Sequence, residues 1–133
     1  MESEPESIWK RHRTQLEKAG VNFEHMIHLR KHIHTHAEGG FKEFKTQALI
    51  KQELLNMGIS QEYITECANT GLVVDIKGTA KPEEGNWETI AYRADIDALK
   101  MKEETGLEYQ SITDHAHMCG HDGHIATLLG KFK

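Results

Sequence analysis

Gly71-Leu72-Val73-Val74-Asp75-Ile76-Lys77-Gly78 is the stretch where the hydrophobic period of this sequence changes. Leu72, Val74 and Ile76 alternate with Val73 and Asp75, a period of two that belongs to a strand. Upstream, apolar residues recur at three and four instead. Between about Lys42 and Met57, Phe44, Ala48 and Leu55 form one stripe with Ile50, Leu54 and Met57 beside it, which predicts a well buried helix closed by Gly58. Before it, Asn22 is a good N-cap, and Phe23, Met26, Ile27, Arg30 and Ile33 predict an amphipathic helix to about His36, ended by Gly39-Gly40. A sparse face of Ile8, Trp9, His12 and Leu16 predicts a first helix over residues 6–19, stopped by Gly20.

Downstream of the period change, the turn-rich stretch Gly78 to Asn86 leads into Thr89-Ile90-Ala91-Tyr92-Arg93-Ala94, which predicts a second strand paired with the first. Asp95 to Leu99 reads as a strand end running into a loop, Leu107 to Gln110 as a short extended piece, and Asp122 to Gly130 as the first turns of a helix. Helices followed by strands, with loops at strand ends to carry chemistry, make an α/β pattern. Ile125, Leu128 and Leu129 need cover, and two strands only begin a sheet, so the expected object is the first portion of a larger domain.

The 133 residues carry a net charge of −5, with no long basic run, which gives no footprint for a phosphate backbone and argues against a nucleic-acid partner. Apolar runs of four residues or fewer fall far short of the roughly 20 needed to span a bilayer. The acidic opening Met1-Glu2-Ser3-Glu4-Pro5-Glu6 is unlike a signal peptide, so no membrane role and a cytoplasmic location are expected. Two cysteines make a poor disulfide framework, and Cys67 reads as a small buried hydrophobe.

Ten histidines are unevenly spread, six within residues 12–36 and four within 115–124. The second group contains the strongest local signal, His117-Met118-Cys119-Gly120-His121-Asp122-Gly123-His124. Cys and His two apart in an extended turn aim thiolate and imidazole at one point, and both are normal zinc donors. Asp122 is placed to fix an imidazole or to cap the following helix. The other reading is a solvated His-rich loop. Arg93-Ala94-Asp95-Ile96-Asp97-Ala98-Leu99 sets two carboxylates directly after a strand, either to ligate a metal or orient a metal-bound histidine, or as a turn with Asp paired to Arg93. His28, His32 and His36 fall on one helical face, but they lack a partnering Glu and lie beside Arg30 and Lys31, so they read as a solvated or packed face.

Taken in order, Ile33-His34-Thr35-His36-Ala37-Glu38-Gly39-Gly40-Phe41-Lys42-Glu43 with Thr46, Gly71 to Gly78, Ala91 to Leu99, Glu103-Glu104-Thr105-Gly106-Leu107, and Cys119 to His124 with Leu128-Leu129-Gly130 resemble the M20 metallopeptidase amidohydrolases. The branch they are most similar to holds the auxin-conjugate, hippurate and N-acyl-amino-acid hydrolases, with aminobenzoyl-glutamate hydrolases nearby. Ala37, Lys100 and Met118 depart from the family pattern, and Ser111 to His117 is about one residue short. These loop changes bear on substrate preference more than on metal chemistry.

The resemblance implies an α/β fold, an incomplete M20-type (zinc-peptidase-like) catalytic domain with N-terminal helices followed by the first strands of a mixed sheet. Residues 1–21 would be a helical extension and 22–133 the N-terminal part of the catalytic domain, with no lid domain. It implies Cys119 and His121 as metal ligands, Asp95 as a catalytic-site carboxylate, and two divalent metal ions, Zn2+ or Mn2+, in the full enzyme. The implied reaction is hydrolysis of the amide bond in N-acyl-amino acids or related amino-acid conjugates, with two metals polarising the carbonyl and activating water and a glutamate moving its proton. That glutamate pair, the later histidine ligands and the lid would lie beyond Lys133, so the chain alone is expected to bind metal weakly and not to hydrolyse amides. Two rival readings are a truncated, non-catalytic binding or regulatory relative and a His-rich metal-binding module. The oligomeric state is left open.

Overall fold

A computed structural model describes residues 8–79, 85 and 88–132. Helix α1 spans Ile8–Lys18, α2 Phe23–Thr35, α3 Phe44–Asn56 and α4 His121–Gly130; between α3 and α4 a 3-10 turn at Gln61–Tyr63 precedes the strands β1, Ile64–Cys67, and β2, Gly71–Val74. No helix among the described residues is long and apolar enough to cross a membrane.

The core is a junction of α2 and α4. Leu29 and Ile33 lie one turn apart on α2, Ile125 and Leu129 one turn apart on α4, and all four are buried together with Leu54 of α3 and Ile64 of β1. Both pairs have the i,i+4 spacing that puts side chains on one stripe. The expected N-cap of α2 is present, with the Asn22 side chain accepting from the His25 N–H at 3.0 Å. Gly58 closes α3 as expected, at φ 87°, while the next N–H, of Ile59, reaches back to the Leu54 carbonyl. That pattern needs a left-handed residue, which glycine supplies without a Cβ clash.

Two features of the helices differ from expectation. Of the helix expected over residues 6–19, residues 6 and 7 lie outside the described residues; Ile8–Lys18 forms but buries no residue, and Trp9 is 79% exposed. Helix α3 turns inward only one of the two stripes its apolar residues suggest, with Leu54 buried and Ile50 and Met57 partly buried against the core. Phe44, Ala48 and Leu55 face solvent, whereas Thr46, Gln47, Glu53 and Leu54 are buried. Each buried polar group there has a partner: Thr46 with Glu38, Glu53 with His25, and the Gln47 amide with the carbonyls of Asn69 and Gly71. Satisfied hydrogen bonds remove most of the penalty of burying polar groups, so hydropathy alone does not show that Thr46, Gln47 and Glu53 join the buried face in place of Phe44, Ala48 and Leu55. The start of α3 is also capped from a distance. The Glu38 carboxylate accepts from the N–H groups of Lys45 and Thr46, at 3.0 and 2.8 Å.

The strands depart further. β2 falls inside the expected strand, but its partner is β1, antiparallel in the register Ile64↔Val74 to Cys67↔Gly71. The turn between them holds Ala68 and Asn69 at φ 47° and 69°, without a glycine at either position. Thr89 to Ala94, expected to be the partner, is exposed up to Arg93 and carries no ladder pairing among the described residues. Leu107 to Gln110 is a turn, closed by the Gln110 N–H on the Leu107 carbonyl at 3.0 Å, and not an extended piece. Cys67, expected to be buried, is exposed at the end of a strand with only Ile64 facing inward.

Single bridges join the long loops to the helical layer. Ala98 pairs with Gly39, and Leu99 with Ala116 through reciprocal bonds of 3.1 and 2.9 Å. They bring the 95–99 loop against the segment that leads into α4.

Candidate metal centre

Cys119, Gly120 and His121 form the entry to α4. Gly120 holds φ 83°, a left-handed N-cap that a side chain would strain, and the helix starts at His121. The Cys119 thiol is free and exposed. His121 is held through Nδ1, 2.9 Å from the Asp97 carbonyl oxygen and 3.0 Å from its carboxylate Oδ1. A carbonyl only accepts, so Nδ1 carries the proton and donates. In the neutral ring Nε2 then keeps the lone pair that binds a metal, with a carboxylate behind it in the arrangement found around zinc-ligating histidines.

The two carboxylates after Arg93 thus divide their roles. Asp97 orients the histidine. Asp95 instead takes the Arg93 guanidinium, with Nε at 2.9 Å and a terminal nitrogen at 2.7 Å from Oδ1. The hydrogen bond from Arg93 holds the Asp95 carboxyl below its ordinary range, against an opposing effect of desolvation; the charges of Arg93, His121 and His124 add to the lowering. Asp95 is in contact with Arg93 rather than with His121, and it remains an ionised carboxylate close enough to feel both histidines.

Asp122 does not cap α4. Its carboxylate is 1% exposed and receives His34 Nδ1 at 2.8 Å and Arg30 Nε at 2.9 Å, both from α2. His34 Nε2 lies 3.0 and 3.1 Å from the two oxygens of Glu103. Glu103 also accepts from the Thr105 hydroxyl at 2.6 Å and the Ser111 N–H at 2.7 Å. Burial pushes the Glu103 carboxyl up, but its donors Thr105, Ser111 and His34 outweigh that and hold it at about 2. A chain of carboxylate, imidazole and carboxylate thus joins the first turn of α4 to α2 and to the 103–111 loop. The spacing of residues gives no sign of it, because its members lie 69 and 88 positions apart.

His117 is buried with neither ring nitrogen hydrogen-bonded, and its ring centroid lies 6.3 Å from that of His34. Desolvation lowers its pKa and keeps the ring neutral. Nothing local in the sequence distinguishes it from the half-buried His115 and His121 or the exposed His124.

Within the first histidine group, His34 is drawn into that buried chain, and His28, His32 and His36 behave as a helix face. His28 and His32 are exposed and His36 is half-buried, with the rings of His32 and His36 4.4 Å apart. Desolvation, then the charges of His36 and His28, lower the His32 pKa. Among the described residues no group of three or more His, Cys, Asp or Glu side chains is placed to hold a metal ion. The donor chemistry at the entry to α4 nevertheless fits one: a free thiol and a lone-pair Nε2, two residues apart.

No protein-family model matches the chain. Individual relatives do. An uncharacterized hydrolase of Staphylococcus aureus is 43% identical over 101 residues, which are 75% of this chain and 24% of that protein. N-acetyldiaminopimelate deacetylases of Bacillus pumilus and Streptococcus thermophilus are 43% and 39% identical over 83% and 79% of this chain. Among solved structures, the crystal structure of the Bacillus subtilis YXEP protein, a dinuclear metal binding peptidase from the M20 family, superposes with a TM-score of 0.70 at 34% identity. The match covers 80% of this chain and 28% of that one. This chain spans about a quarter of the length of the relatives it matches.

Proposed function

The chain belongs to the M20 peptidase family, and from that premise we propose that Cys119 and His121 are ligands of a dinuclear metal centre that hydrolyses amide bonds. The observation that carries this reading is the His121 ring, whose Nδ1 is committed to Asp97 so that Nε2 is left to bind, two residues along the chain from the free thiol of Cys119. When bound, the metal pair supplies Lewis-acid polarisation of the amide carbonyl and a water acidic enough to attack it near neutral pH. A thiolate with an imidazole favours zinc over manganese by softness.

This chain's own residues prepare the site. Asp97 fixes the ligand tautomer and makes the imidazole a better donor. Asp95, kept ionised by Arg93, supplies a negative charge at the same loop. The relatives that are N-acetyldiaminopimelate deacetylases support an N-acylated amino acid as the substrate class. Two donors are fewer than the three protein ligands that hydrolytic zinc sites use, so the 133-residue chain alone is proposed to bind metal weakly and to release no product.

The test is a zinc titration of the chain, followed by measurement of free amine released from a panel of N-acetyl amino acids that includes N-acetyldiaminopimelate. The expected result is weak binding lost in Cys119→Ser, with no amine release. Binding unchanged in Cys119→Ser overturns the ligand assignment. Turnover by the chain that Cys119→Ser abolishes overturns the view that two donors are too few.

A further inference from the structure

The apolar contact between α2 and α4 runs through Ile125 and Leu129, on the later turns of α4. It brings the two helices together without help from charged groups. Yet three ionisable side chains, His34, Glu103 and Asp122, are buried at the other end, each 5% exposed or less along the side chain. Buried ionic groups are seldom a net source of stability compared with well packed apolar ones. What this network adds over the apolar contact is directional: it fixes the rotation and height of the first turn of α4.

That turn carries His121. Its ring is set by Asp97, and its backbone is set by the next residue, Asp122, which Arg30 and His34 grip from successive turns of α2. Glu103 holds His34 from behind, through both carboxylate oxygens. Arg30 is braced in turn, with its guanidinium 5.3 Å above the Tyr109 ring. Cys119 hangs from the other side of Gly120, so the spacing between thiol and imidazole depends on how firmly the helix start is held.

We propose that Asp122, held by Arg30 and His34 and backed by Glu103, is a positioning residue that sets the geometry of the Cys119–His121 metal-binding turn. The inference rests on the ligand assignment above, and it makes the network act on metal affinity and not only on folding. Residues that orient metal ligands from behind typically change affinity about 10–100-fold when lost.

The test titrates cobalt(II) into the full chain carrying Cys67→Ala, which removes the other exposed thiol, and follows the thiolate-to-cobalt charge-transfer absorption, which then reads Cys119 and ignores the exposed histidines of α2. Asp122→Asn keeps the shape and removes the charge; it is expected to weaken cobalt binding about 10–100-fold with an unchanged far-ultraviolet circular dichroism spectrum. Glu103→Gln, one link further back, is expected to give a smaller loss in the same direction and serves if Asp122→Asn does not fold. Leu129→Ala destabilises the same helix pair from its apolar end and is expected to leave cobalt affinity unchanged. The proposal is overturned if both network variants bind cobalt as the parent does, or if Leu129→Ala weakens binding as much as they do. Absence of the thiolate band in the parent chain is the distinct result that overturns the ligand assignment itself.

Discussion

Acidification reads the buried network through Glu103. Its carboxyl titrates at about 2 in the folded chain against 4.5 as the ordinary value. Between these values the unfolded chain binds a proton that the folded chain refuses, so the stabilisation is fully present above 4.5 and is lost as the pH falls toward 2. The side chain is entirely out of solvent, so screening by water does little to reduce the effect. Going from about pH 5.5 to about pH 3 should remove roughly 2 kcal/mol through this group. Other carboxylates titrate over the same range, which makes the comparison with Glu103→Gln the informative one. That variant loses its proton-linked term while the rest of the chain is retained. The assay is urea unfolding of both proteins at the two pH values. The parent should lose about 2 kcal/mol more than the variant on acidification. Parallel losses in the two proteins would refute a Glu103 carboxylate held ionised by His34, Thr105 and Ser111.

Further predictions concern local structure. Ile33→Ala opens the core at a side chain that is 1% exposed and should cost about 2–5 kcal/mol in urea unfolding. Asn22→Ala removes the α2 cap and should cost about 1 kcal/mol by the same assay. Glu38→Ala strips the two donated bonds at the start of α3 and should cost about 1–2 kcal/mol, with reduced helical circular dichroism. Cys67→Ala changes an exposed strand end and should stay within about 0.5 kcal/mol of the parent.

The helices were legible because their signals are local. Asn22 at a cap and Gly58 at a C-terminus lie within a turn or two of what they determine; on the expected face of α2 Ile33 is buried, while Ile27 is exposed and the unexpected Leu29 takes its place in the core. The face that α3 buries was legible only through Ile50, Leu54 and Met57; its polar half was not, since Glu53 and Thr46 are admitted to the interior by His25 and Glu38, partners that lie outside the helix. β1 left little trace: Ile64-Thr65-Glu66-Cys67 has one inward residue, and its turn uses Ala68 and Asn69 where a glycine would have marked it. Thr89 to Ala94 shows the reverse error. Strand composition there has no neighbouring ladder among the described residues, and a strand depends on its neighbour's hydrogen bonds as much as on its own side chains.

At the candidate site the same division holds. The Cys119-Gly120-His121 turn is contiguous and could be read directly, and the pair of carboxylates after Arg93 already suggested orientation of a histidine. Which carboxylate does so needed the bridges that set Ala98 on Gly39 and Leu99 on Ala116, and they select Asp97. The network from Glu103 through His34 to Asp122 joins three distant segments, so only the folded chain brings it into view.

The account stands on a metal held by sulfur and nitrogen at the entry to α4. An X-ray absorption spectrum of the chain loaded with one equivalent of zinc measures that shell directly. The account predicts a sulfur scatterer at about 2.3 Å together with nitrogen at about 2.0 Å, the sulfur disappearing in Cys119→Ser. A shell of nitrogen and oxygen alone, identical in the parent and in Cys119→Ser, would contradict it.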